Sequence, residues 1–185
     1  MFGCQTWADR SCGADRSLVV DAHSVLYAGT PKGFLSRSIG VKCTEDRNVD
    51  VLVAGGGMAG VFAALAAAGD GASVVLIEPS NVLGGQGTAG GVAGFCGDTQ
   101  RVNDPFRRLV EQLSAHDKIA PYNPRSDRRA YDLEICGFFL QEMVAKADVD
   151  ILLHARVLDA VADAGRVSDV LVSCGSEVIE FHPTV

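Results

Sequence analysis

Asp50-Val-Leu-Val-Ala-Gly55-Gly-Gly57-Met58-Ala59-Gly60, an alanine-rich run to Ala68, and Ser73-Val-Val-Leu-Ile-Glu78 read in order as strand, glycine turn, helix, turn and strand. Val51, Leu52 and Val53 form a short apolar run of the kind buried on both faces of a parallel sheet. Gly55 permits a tight turn out of that strand. Gly57 has no Cβ, so a pyrophosphate can approach the backbone where a helix N-terminus presents free N–H groups and the positive end of its dipole. Gly60 lets the helix pack close to the strand. Val61 to Ala68 are good helix formers, and Gly69-Asp70-Gly71 stops them. Glu78 follows Gly60 by 18 residues, where a carboxylate accepts hydrogen bonds from an adenosine ribose. Among 21 glycines in 185 residues a lone GxGxxG arises by chance. This one has a strand before it, a helix after it and an acid at the expected distance. Dinucleotide binding is the reading; the alternative is a glycine-tolerant β–α turn with no ligand.

The length allows one domain and its core, with room for an extra segment. A net charge of −7, with no Lys/Arg cluster, argues against a nucleic-acid surface. No apolar run approaches a membrane span, and the N-terminus shows neither a basic region nor an apolar one of the signal-peptide kind. The six cysteines are scattered with no CxxC pair and no His at ligand spacing, so a zinc or iron–sulfur site is not expected. Reduced thiols in a cytoplasmic protein fit that usage.

Residues 1–46 do not resemble the rest of the chain and are set apart as an extension, leaving 47–185 as the nucleotide-binding domain. Ser17-Leu-Val-Val-Asp21 is a candidate strand, while Trp7 and His23 stand alone. After Glu78 the chain turns glycine-dense from Gly84 to Gly97. Its glycines alternate with Thr88, Ala89, Val92, Ala93 and Phe95, which favours a backbone running close to a ligand over a polar linker. Asp104-Pro105 starts a helix whose Phe106, Leu109, Val110 and Leu113 share a face. Ala120 to Arg129 reads as a loop. A second amphipathic helix covers Tyr131 to Ala147, opened by Arg128, Arg129 and Tyr131. Ile151 to His154 is a third buried strand, with His154 a core residue. The segments 157–162, 166–173 and 177–181, broken at Gly165 and Gly175, form a three-stranded antiparallel meander.

The fold class is therefore α/β: a Rossmann-like, two-dinucleotide-type FAD-binding domain with a parallel sheet and an antiparallel β-meander. An ordinary nicotinamide domain would continue with alternating strands and helices instead. Val51-Leu-Val-Ala-Gly-Gly-Gly-Met-Ala-Gly60, Glu78-Pro79, Leu83-Gly-Gly-Gln-Gly-Thr88 and Val149-Asp-Ile-Leu-Leu-His-Ala-Arg-Val157 resemble FAD-dependent oxidoreductases of the family related to heterodisulfide reductase A. The resemblance covers about 48–182. It implies FAD as cofactor, a pyrophosphate at Gly55, Gly57 and Gly60 with Met58 and Ala59 in the same turn, and the adenosine ribose on Glu78. It further implies that Gly84, Gly85 and Thr88 line the diphosphate-to-ribityl path and that the Val157 backbone touches adenine. Met58 stands where such turns commonly carry proline.

The resemblance also implies a small-molecule substrate, an electron donor or acceptor, and a redox partner protein. The relative's iron–sulfur cysteine cluster is missing. His182-Pro-Thr-Val185 ends where the family continues into another core strand, a Gly-Asp motif and a substrate domain. The chain is thus expected to be the N-terminal part of a larger flavoenzyme, inactive alone. No catalytic residue is assigned. Cys96 follows the glycine run and could sit near a flavin ring, against the plainer reading of a small buried thiol. The other functional classes are an NAD-dependent dehydrogenase domain and a non-catalytic nucleotide-binding module.

Overall fold

The computed structural model describes residues 16–20, 37–41, 43–96, 103–121 and 129–185. Trp7, His23, Gly97 and Arg128 lie outside them. Two strands, β1 (Arg16–Val20) and β2 (Arg37–Val41), form an antiparallel ribbon. The chain then runs through β3 (Glu45–Val49) and, after Asp50, into β4 (Val51–Ala54). Helix α1 (Met58–Gly69) and β5 (Val74–Glu78) complete the βαβ unit. Strand β6 (Gly94–Phe95), α2 (Asp104–Ala115), β7 (Ile119–Pro121) and β8 (Arg129–Tyr131) come next. Last are α3 (Leu133–Lys146), β9 (Asp150–Leu153), β10 (Ala155–Asp163), β11 (Arg166–Cys174) and β12 (Glu177–Pro183).

The parallel sheet has the order β4-β5-β9, the three strands the sequence marks as buried; only the central β5 is buried throughout, while β4 and β9 flank it and are half-buried. Because side chains alternate along a strand, β5 serves two cores at once. Val74 and Leu76 pack with α1, α2 and α3, alongside Val61, Leu109, Leu113, Leu140 and Val144. Val75 and Ile77 pack on the other side with Val170, Val172, Ile179 and Phe181. The layers are therefore helices, parallel sheet, antiparallel sheet. Each fully buried aliphatic side chain contributes roughly 1.5–3 kcal/mol, and β5 lies at the junction of both cores.

The antiparallel sheet has the order β10-β11-β12-β3. Its first three strands are the expected meander. The fourth, β3, pairs parallel with β12 from Glu45 opposite Ile179 to Val49 opposite Pro183. That strand runs across the boundary expected at 46/47. Its sequence, Glu-Asp-Arg-Asn-Val, is too polar to announce a strand; pairing with β12 supplies what local propensity does not.

Several local expectations shift. Asn103, not Asp104, caps α2: its side-chain oxygen accepts from the Phe106 N–H at 3.0 Å. Asp104 and Pro105 occupy the first turn, where proline's missing N–H costs nothing. Helix α3 begins two residues later than Tyr131, because the Asp132 carboxylate caps it by accepting from Glu134 and Ile135 N–H, each at 3.1 Å. Tyr131 and Arg129 belong instead to β8, so they open no helix. The expected loop at 120 begins as strand β7, and β6, β8 and β7 make a small antiparallel sheet. His154 is not a core residue. It is exposed and adopts a left-handed conformation (φ 54°) that ends β9. The stop at Gly69-Asp70-Gly71 is as expected: Gly71 has φ 88° and donates to Ala68, while Ala72 donates to Ala67.

Candidate dinucleotide site

The site is built where β4 and β5 end. Gly55 leaves β4 with φ 109° and donates its N–H to the Ile77 carbonyl at 2.8 Å. A Cβ at Gly60 would stand 1.8 Å from the Gly55 carbonyl oxygen, so the helix lies directly against the turn only because Gly60 is glycine. Gly57 differs in kind. A Cβ there would meet nothing within 4 Å. Gly57 is the N-cap of α1, no side chain caps that helix, and its first turn holds no acid. Four backbone N–H groups at a helix start lack intrahelical partners. Here the Cβ direction of Gly57 opens onto free space, with Met58 partly buried and Ala59 exposed.

A second glycine loop lies against the first. Gly84 (φ 107°) donates to the Gly56 carbonyl at 2.7 Å and bridges Gly57 in parallel. A Cβ on Gly85 would come 3.0 Å from the Gly57 Cα. Gly85–Gly87 form one turn of 3-10 helix. Thr88 is buried and its hydroxyl donates to the Leu83 carbonyl at 2.6 Å. The glycine density from 84 onward is thus, over its described residues, a folded wall beside the Gly55–Gly60 turn.

Glu78 closes β5 and is 8% exposed. One carboxylate oxygen accepts from the Gly56 N–H and the other from the Ser80 N–H, each at 2.8 Å. Burial raises the affinity of this carboxyl for its proton. Hydrogen bonds from Ser80 and Gly56, with the Arg156 guanidinium nearby, outweigh burial and hold it below the ordinary carboxylate range. Glu78 is therefore ionised, and each oxygen keeps a further lone pair for a hydroxyl.

Gly55 to Gly60, Glu78, Gly84, Gly85 and Thr88 thus converge on one end of the parallel sheet. Val157 comes from the neighbouring edge strand β10, 39% exposed, at a bulge in its pairing with β11. Three residues that position the site are not marked by any sequence motif. Gly56 is buried, and a Cβ would strike Leu83 Cδ2 at 2.6 Å; it falls on a free position of the GxGxxG pattern. The Tyr131 hydroxyl shares its one proton between the carbonyls of Gly87 at 2.9 Å and Val92 at 3.0 Å, pinning the glycine wall. Burial pushes its phenol up to about 12. Phe95 stacks on Tyr131, with ring centroids 4.3 Å apart. Neither aromatic carries a local signal, since Tyr131 lies 44 residues from Gly87. Cys96 is exposed rather than buried, whereas Cys136 is buried, which pushes its thiol up to about 12.

Residues 50–182 match the family described as FAD dependent oxidoreductase. The chain belongs to that family. FAD is its cofactor, and the geometry fits: an uncapped helix start, an open glycine and an ionised acid at the end of β5. Among solved structures, the chain is similar to a geranylgeranyl bacteriochlorophyll reductase-like protein from Thermoplasma acidophilum (20% identity, TM-score 0.55, 75% of this chain and 38% of that one). It is also similar to the THI4 protein of Thermovibrio ammonificans (14%, 0.54, 74% and 55%). A third is p-nitrophenol 4-monooxygenase from Pseudomonas putida (17%, 0.55, 76% and 39%). At such identities the likeness establishes the fold. The chain spans 38–55% of the length of these three proteins. No described helix is long and apolar enough to cross a membrane.

Proposed function

We propose that this chain holds the ADP half of FAD for a flavin-dependent oxidoreductase acting on a small molecule. The pyrophosphate meets the backbone of Gly55, Gly57, Met58, Ala59 and Gly60. Glu78 accepts from the adenosine ribose, Gly84, Gly85 and Thr88 line the path toward the ribityl chain, and the Val157 backbone contacts adenine. Bound flavin supplies the redox chemistry, while the chain supplies position and electrostatics. The observation that carries this reading is the contrast between neighbouring glycines. Protein atoms crowd Gly56 and Gly60, whereas a Cβ at Gly57 would meet nothing within 4 Å; the reading gives that open space to the pyrophosphate.

Within the family, the glycine turn, the Glu78-Pro79 strand end and the Leu83–Thr88 loop favour relatives of heterodisulfide reductase A. This reading adds an electron donor or acceptor, a redox partner protein and a cytoplasmic setting. Residues 47–185 form the cofactor domain, with the preceding segment an extension; β3 (Glu45–Val49) crosses that boundary and joins the domain's sheet through β12. Titration of FAD against the chain and against Gly57→Val tests the assignment. Loss of binding with an intact fold is expected, and unchanged binding refutes it.

A further inference from the structure

A second constellation lies on the face of the antiparallel sheet turned away from the core. Glu180 and His182 are two residues apart on β12 and so share a face, while Ile179 and Phe181 point inward. Asp46 of β3 stands directly opposite Glu180 in the parallel pairing. On the other side, Asp169 of β11 precedes Val170, the partner of Phe181. Ligand atoms of Asp46, Glu180 and His182 all fall within 4.8 Å of one another. His182 Nδ1 lies 2.7 Å from Asp169 Oδ1, and its Nε2 is paired with Asp46. Glu180 is 2% exposed, His182 is half-buried and Asp46 is exposed, so the group runs from the buried Glu180 out to the surface.

We propose that Asp46, Glu180 and His182 form a binding site for a divalent transition-metal ion, with Asp169 orienting the imidazole. A carboxylate behind one ring nitrogen fixes the tautomer and aims the other nitrogen at the ion, as in carboxylate–histidine–metal arrangements. One imidazole with two carboxylates suits zinc, cobalt or manganese. An all-oxygen shell would favour calcium or magnesium instead. The ligands come from two strands that meet only through parallel pairing, with Asp46 136 residues from His182. The ion therefore acts as a staple holding β3 in the sheet, and no reaction is assigned to it.

The test is a Co2+ titration of the full chain after chelator treatment, read by calorimetry and visible absorption. One ion per chain is expected, with d–d bands of nitrogen and oxygen ligation and a raised thermal midpoint. His182→Ala should abolish saturable binding, and Asp169→Asn should weaken it about 10–100-fold, with far-UV circular dichroism unchanged. Should His182→Ala fail to fold, the near-isosteric Asp46→Asn at an exposed position carries the same test. Absence of saturable binding, thiolate-to-cobalt charge-transfer bands, or equal affinity in the variants would overturn the proposal.

Discussion

Gly57 and Gly60 are three residues apart, and the structure assigns them opposite sensitivities. A methyl group at Gly60 would sit 1.8 Å from the Gly55 carbonyl oxygen, 3.0 Å from its carbonyl carbon and 3.3 Å from Val53 Cγ1. Real Cβ contacts essentially never fall below 3.0 Å, so α1 must retreat by more than about 1 Å from a turn fixed by the β4–β5 pairing. Overpacking of this kind costs about 1–3 kcal/mol, occasionally more. For a chain of this size that is a loss of roughly 2–12 °C in Tm. At Gly57 the backbone (φ −64°, ψ 175°) suits any L-residue, and nothing stands within 4 Å of the added carbon. Gly57→Val should therefore keep Tm within a few degrees and lose FAD binding, because its side chain takes the phosphate's place. Thermal melts by circular dichroism and FAD titration by fluorescence read the two effects separately. Gly60→Ala as stable as the parent chain, or Gly57→Val as damaged as Gly60→Ala, would refute the division of labour.

Glu78→Ala should weaken FAD by up to about 3 kcal/mol, the scale of charged hydrogen bonds, and the intact chain should prefer FAD over NADP; tighter NADP binding in a competition assay contradicts this. Because the Glu78 carboxyl lies below its ordinary value, its contribution is complete above the unfolded carboxylate range and is lost as pH falls through the folded value. The Tm gap between the parent chain and Glu78→Gln should accordingly be widest near neutrality and close in acid, and a gap constant with pH sinks the assignment. Tyr131→Phe removes the hydroxyl that holds the Gly87 and Val92 carbonyls. A loss of about 1–2 kcal/mol is expected, with faster hydrogen exchange between 84 and 92 and little change elsewhere; uniform exchange would show that the pin is unimportant.

The βαβ unit is legible in the sequence because each of its signals is local. Val51–Val53 read as strand, though they are half-buried rather than buried; alanines read as helix, Gly69-Asp70-Gly71 as a stop, and Glu78 sits at a countable distance. The meander is legible from turns at Gly165 and Gly175. The hidden features depend on partners distant in sequence. Strand β3 is polar and exists through β12. Tyr131 looks like the opening of an amphipathic helix until Asp132 is seen to cap it. His154 sits in an apolar run, yet the chain must turn there to pass from the parallel sheet into β10. The carboxylate–histidine group has no Cys or His spacing to betray it, because strand pairing brings Asp46 to Glu180. Gly56 shows a subtler limit, since a pattern counts which positions are glycine but not which neighbour forbids anything larger.

The most direct measurement is amide chemical-shift mapping of the isotope-labelled chain during FAD titration, which also detects weak binding. Shifts should concentrate at Gly55 to Gly60, at Glu78, across Gly84 to Thr88 and at Val157, and be absent in Gly57→Val. Shifts centred elsewhere, a response to NADP at lower concentration than to FAD, or no response to FAD at all would contradict the assignment.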